Sequence, residues 1–153
     1  MLWLSHHRES EHHRTVVLGG VRVCARCLGT YPALACTLGL LFHGRAPLAW
    51  PWEVPAVLLL TAPALLDWCA GRLRPEGGHN AVRLLTGVLL GVALGRSLHV
   101  HLQRPLPPVL LAQGALVTAL AGPVIVLALW RARAVDRIRA PAVEEEEGAH
   151  RRP

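Results

Sequence analysis

The sequence predicts an all-α integral membrane protein, a four-helix transmembrane bundle. Two observations carry that reading. Of 153 residues 52% are apolar, gathered in four long blocks punctuated by arginine, proline and glycine, which leaves too little polar sequence to clothe a globular core. Each block also comes near the ~20 residues that a helix needs to cross the hydrocarbon of a bilayer. The predicted spans are about 28–43, 54–70, 81–98 and 108–130, flanked by a histidine-rich segment (1–27) and a charged tail (131–153).

The N-terminal segment is polar, carrying His6, His7, His12 and His13 and ending in Cys24-Ala25-Arg26-Cys27. Within it Thr15-Val16-Val17-Leu18 and Val21-Arg22-Val23 flank Gly19-Gly20, the pattern of a small β-hairpin. Only four residues precede Ser5-His6-His7-Arg8-Glu9, so no signal-peptide pattern is present and the first apolar helix is expected to direct insertion. Span one is the shortest and could borrow Pro47 to Trp50. Pro63 in span two and Pro123 in span four are expected to kink their helices. In span three Gly87, Gly91 and Gly95 recur every four residues, a stripe that lets another backbone approach closely and makes this span central. Gly29, Ala33 and Thr37 on span one, and Gly114, Thr118 and Gly122 on span four, are the candidate partner stripes. The tail after Trp130 is basic, then has four consecutive glutamates, and reads as a membrane-surface turn followed by a disordered acidic segment.

All 16 basic residues are arginine. An up-down topology puts Arg8, Arg14, Arg22, Arg26, Arg72, Arg74, Arg83, Arg131, Arg133, Arg137 and Arg139 on one side and Arg45, Arg96 and Arg104 on the other. Positive residues near span ends stay in the cytoplasm, so the chain is expected in the cell membrane with both termini cytoplasmic. Tyr31, Trp68 and Trp130 then fall near the inner boundary, and Trp50 and Trp52 near the outer one. The same placement speaks against nucleic acid as partner, because no aromatic-interleaved basic strand or recognition helix accompanies the charge of +6.

Topology also assembles a site. The start of span one, the end of span two and the start of span three lie at one depth, which brings Asp67, Asn80 and Arg83 into a ring able to bind an anionic headgroup or small solute. Asp67 is expected to pair with Arg83, since a carboxylate inside a span is costly unless paired or wet. Cys24 and Cys27, on the reducing side, are poor candidates for a structural disulfide. They supply half of a tetrahedral zinc site that His6 and His13 could complete across the hairpin. Cys36 and Cys69 read as packing residues, and His43, His99 and His101 as solvated helix ends that could also meet a metal from outside.

The run Val23-Cys24-Ala25-Arg26-Cys27-Leu28-Gly29-Thr30-Tyr31, preceded by Ser5-His6 and followed by Asp67, Asn80-Ala81-Val82-Arg83 and Gly87, resembles the prokaryotic membrane-protein family named domain of unknown function 2085, over about residues 5 to 95. The resemblance implies membrane location and marks the same ring, but no activity. Departures stand at Ser5, where the family has a cysteine, at Leu28 in place of threonine, and at Trp68 in place of glycine. Serine is a poor zinc ligand, so a three-cysteine, one-histidine site does not carry over intact.

Three function classes follow: a metal-bearing module that binds an anionic group, a small transporter or metal-handling protein, and a four-helix thiol oxidoreductase. The transporter lacks the internal repeat expected of it. The oxidoreductase would need outward-facing cysteines. No Ser-His-Asp arrangement, phosphate-cradling glycine loop or His-Glu-x-x-His motif is present, so the sequence assigns no reaction and no oligomeric state.

Overall fold

The computed structural model describes residues 14–44, 46, 51–73 and 79–150, with side chains through 131 and at 133. Ser5, His6, His7, His12, His13, Arg45, Pro47 to Trp50 and Arg74 lie outside the described residues. The element order is β1 (Thr15–Leu18), β2 (Val21–Cys24), α1 (Ala25–His43), α2 (Glu53–Leu73), α3 (Asn80–Gln103) and α4 (Pro108–His150).

The hairpin forms as its sequence requires. β1 and β2 pair antiparallel with Thr15 opposite Cys24 and Leu18 opposite Val21. The two residues between them, Gly19 and Gly20, have φ of 55° and 82°. Positive φ at both central positions is the demand of the tight two-residue turn that matches strand twist, and glycine meets it without steric cost. The base of the hairpin is buried, at Thr15 and Cys24, while Val17, Leu18 and Val21 near the tip are exposed.

Among the described residues four helices are long and apolar enough to cross a membrane: Ala25–His43, Glu53–Leu73, Asn80–Gln103 and Pro108–Arg131. At 1.5 Å per residue α1, the shortest with 19 residues, spans about 28 Å, close to a hydrocarbon core of ~30 Å. It starts at Ala25, three residues before the expected Leu28, because strand β2 runs directly into it through Cys24. Arg26 and Cys27 therefore belong to its first turn. The helices run through Pro32, Pro63 and Pro123 as single elements. Exposed leucines such as Leu40, Leu59, Leu66, Leu111 and Leu129 stud their outer faces, as a lipid environment demands.

The helices lie in a row rather than a closed square. The most extensive contact is α1 on α3, then α3 on α2 and α2 on α4, while α3 touches α4 only lightly. α3 is central, as its glycine stripe predicts. A Cβ on Gly91 would stand 2.8 Å from the Ala33 Cβ, and one on Gly95 2.8 Å from the Thr37 Cβ. A Cβ on Gly29 would stand 2.9 Å from the Val88 nitrogen, and one on Gly87 would strike the Arg26 carbonyl. Bilayer lipid is as apolar as leucine, so close backbone approach supplies the dispersion contacts that hold α1 to α3. The span-four stripe is not used in this way: Gly114 and Thr118 are exposed, and a Cβ at Gly114 or Gly122 would meet nothing. α4 instead packs through Val109, which joins Val57, Ala93 and Val100 in a core where α2, α3 and α4 meet.

The tail expected as disordered continues α4 to His150. Arginine and alanine, both good helix formers, dominate the residues just after Trp130, so nothing local stops the helix at the membrane boundary, and it runs on through Pro141.

Candidate functional site

One end of the helix row gathers the charged and thiol-bearing residues. Arg14 donates to the carbonyl of Gly71 at 2.9 Å, capping the C-terminal turn of α2, where free carbonyls and the helix dipole favour a cation. Asn80, opening α3, donates from Nδ2 to the Thr15 carbonyl at 3.2 Å. These two bonds dock the hairpin on α2 and α3. They set Cys24, paired with Thr15, directly above the helix ends.

Beneath the hairpin Arg26 forms an ion pair with Asp67 across from α1 to α2. This corrects the expectation that Asp67 takes Arg83. The reason is the earlier start of α1, which puts Arg26 on a helix turn that Gly87 allows to lie against α3 and beside α2. Arg83 is buried at 5% exposure, and its Nη1 donates to Asn80 Oδ1 at 3.4 Å. It lies within electrostatic reach of Arg14, Asp67, Arg26 and Cys24. The predicted residues Asp67, Asn80 and Arg83 thus share one cluster, and the structure adds Arg14 and Arg26 to it. The hydroxyls of Thr30 and Thr86 donate to the Arg26 and Arg83 carbonyls at 2.9 and 3.2 Å. Arg26 Nε is buried with no acceptor among the described residues; away from this end Ser97 Oγ, His99 Nδ1 and Gln113 Oε1 are likewise buried without partners among them.

Cys24 is buried, Cys27 half-buried, and neither is in a disulfide. They stand three residues apart, Cys24 closing β2 and Cys27 in the first turn of α1. Among the described residues no three His, Cys, Asp or Glu side chains come together as a metal site. The two thiols offer half of a tetrahedral set, and His6 and His13, the other ligands foreseen, lie outside the described residues. Cys36 is exposed on α1, and Cys69 donates to the Leu120 carbonyl at 3.6 Å, joining α2 to α4.

The opposite end holds groups that the sequence reading passed over. Glu53 pairs with Arg96 at 2.7 Å, both largely buried. The signal was present: an arginine inside an apolar span needs a partner, and antiparallel α2 brings Glu53 to its level. Gln113 donates to Thr61 at 2.9 Å between α4 and α2. Of the three histidines expected as solvated, His99 is only 1% exposed, packed edge-on against Phe42 at 4.8 Å and hydrogen-bonded to Gln103 at 3.1 Å. His101 Nδ1 accepts from the Leu106 N–H at 3.2 Å, and His43 is exposed.

A family model described as a predicted membrane protein (DUF2085) matches residues 7–96, in line with the resemblance read from the motifs. The match takes in the hairpin, α1, α2 and most of α3, hence the whole hairpin-end cluster, and leaves out α4. No curated protein and no solved structure matches the chain.

Proposed function

The chain belongs to the DUF2085 family of predicted membrane proteins, and from that premise we propose that its hairpin end is a cytoplasmic-face binding site for a small anionic group. The group is a phosphate or carboxylate, carried by a lipid headgroup or a small solute. The observation that carries the reading is Arg26: one arm is fixed on Asp67, while its buried Nε has no acceptor among the described residues. A buried donor left unmet costs about 1–3 kcal/mol, and an anionic oxygen is the acceptor a guanidinium takes best. Arg83 and Asn80, joined to each other and to the hairpin, supply further donors at the same level. The arginine asymmetry of the spans supports a cytoplasmic placement.

Zinc belongs to the same proposal. Cys24 and Cys27 are neighbouring cysteines in no disulfide, and Thr15, the strand partner of Cys24, follows His13 by two residues in sequence. Two thiolates with His6 and His13 make a donor set of the right softness and number. The ion would clamp the hairpin to α1. Elemental analysis of detergent-purified protein is expected to give about one zinc per chain. Replacing Cys24 and Cys27 with serine removes it, and a metal-free wild type would refute the clamp.

The anion site is tested by thermal unfolding with inorganic phosphate as probe. Phosphate raises the midpoint of the wild type. Arg26→Lys, which keeps a cation opposite Asp67 but loses the fork of donors, abolishes most of that response. An equal response in Arg26→Lys would sink the assignment. A second reading, dithiol redox chemistry, rests on the Cys-x-x-Cys spacing of Cys24 and Cys27, neither of which is in a disulfide. It requires a zinc-free protein whose Cys24 and Cys27 oxidise reversibly to a disulfide.

A further inference from the structure

We propose that the groove between the C-terminal end of α2 and α4 holds one anionic phospholipid, its phosphate between Arg72 and Arg131 and its first methylenes on Leu73, Val124, Leu127 and Ala128. α2 and α4 run parallel and are held together by the Thr61–Gln113 and Cys69–Leu120 hydrogen bonds. Beyond Cys69 α2 ends at Leu73 while α4 continues, and the groove of about 200 Å³ opens between them. That is many times the ~10–15 Å³ of such space that a single water needs, and so leaves room for a phosphodiester.

Chemistry selects the occupant. Arg72 and Arg131 stand at the ends of the two membrane-crossing segments, where a lipid phosphate sits. The Arg72 guanidinium lies 5.4 Å from the Trp68 ring centroid, which fixes its direction. Neither arginine has a carboxylate partner among the described residues. The remaining wall is apolar and belongs to the spans themselves, a surface suited to acyl chain and useless to a free anion. None of the groove residues is part of the hairpin-end cluster, so this site stands apart from the proposed anion site.

The full chain in detergent is titrated with phosphatidylglycerol and phosphatidylcholine and followed by native mass spectrometry. One phosphatidylglycerol is retained in preference to phosphatidylcholine. Arg72→Gln with Arg131→Gln weakens that retention by about tenfold or more, from ~1 kcal/mol per basic residue facing an anionic headgroup. In an Arg26→Lys background the loss caused by Arg72→Gln with Arg131→Gln persists, which separates this groove from the hairpin end. Both groove arginines are exposed, so the double variant folds, with unfolding followed by circular dichroism as the check. Equal retention of the two lipids, wild-type binding by the double variant, or displacement of phosphatidylglycerol by millimolar inorganic phosphate would each overturn the proposal.

Discussion

Arg26 and Asp67 form the pair on which the hairpin end depends, and each is partly withdrawn from water. Removing one partner strands the other, whereas removing both spares that penalty. Asp67→Asn is therefore expected to cost roughly 2 kcal/mol in detergent unfolding, and Asp67→Asn with Arg26→Gln to cost clearly less than the sum of the singles. The same cycle with Arg83 in place of Arg26 is expected to show weaker coupling, and a stronger one would restore the pairing first read from the sequence. Asp67 was legible as a residue needing a cation because charge inside a span is so unfavourable. Its partner was not, because Arg26 and Arg83 stand at the same level and only the packing of α1 on α3 decides between them. Arg14 was hidden for a similar reason, since an arginine beside a span looks like a topological signal until its bond to Gly71 is seen.

At the scale of elements, the glycine stripe of α3 does two things. It seats α1, and through Gly87 it brings the Arg26 backbone against α3, so packing and site are one structure. Gly91→Leu is expected to lower the unfolding midpoint far more than Gly114→Leu, because a side chain at 91 meets Thr30 and Ala33 while one at 114 meets open space. Gly87→Ala adds only a methyl group, yet it is expected to displace Arg26 and so reduce the phosphate response as well as stability. Circular dichroism melts of the three variants, with and without phosphate, check both statements. The four spans were legible because length and apolarity alone specify them, and the hairpin because Gly19-Gly20 admits positive φ at two successive positions. The order of helices across the row was half legible. Small residues on α3 pointed to its partner on α1, while a similar spacing on α4 misled, since glycine and threonine are common in membrane helices whether or not they face a neighbour. The continuation of α4 to His150, through Pro141, departs from the disordered tail that its charge leads one to expect.

For the whole molecule, charge sorts to the two ends of an apolar slab, with the hairpin, the thiol pair and most arginines at one end and the Glu53–Arg96 pair at the other. The cytoplasmic placement proposed for the hairpin end predicts that an impermeant thiol reagent added to intact cells leaves Cys24 and Cys27 unmodified and reaches them after permeabilisation. Labelling from outside would invert the topology. The central claim, that the hairpin end is where this protein binds an anion, is tested most directly by hydrogen exchange of the detergent-purified protein with and without inorganic phosphate. The account predicts slowed exchange confined to the base of the hairpin and the first turns of α1 and α3, around Thr15, Cys24, Arg26, Asn80 and Arg83. Protection centred instead on the Glu53–Arg96 end, or no protection at any phosphate concentration, would contradict it.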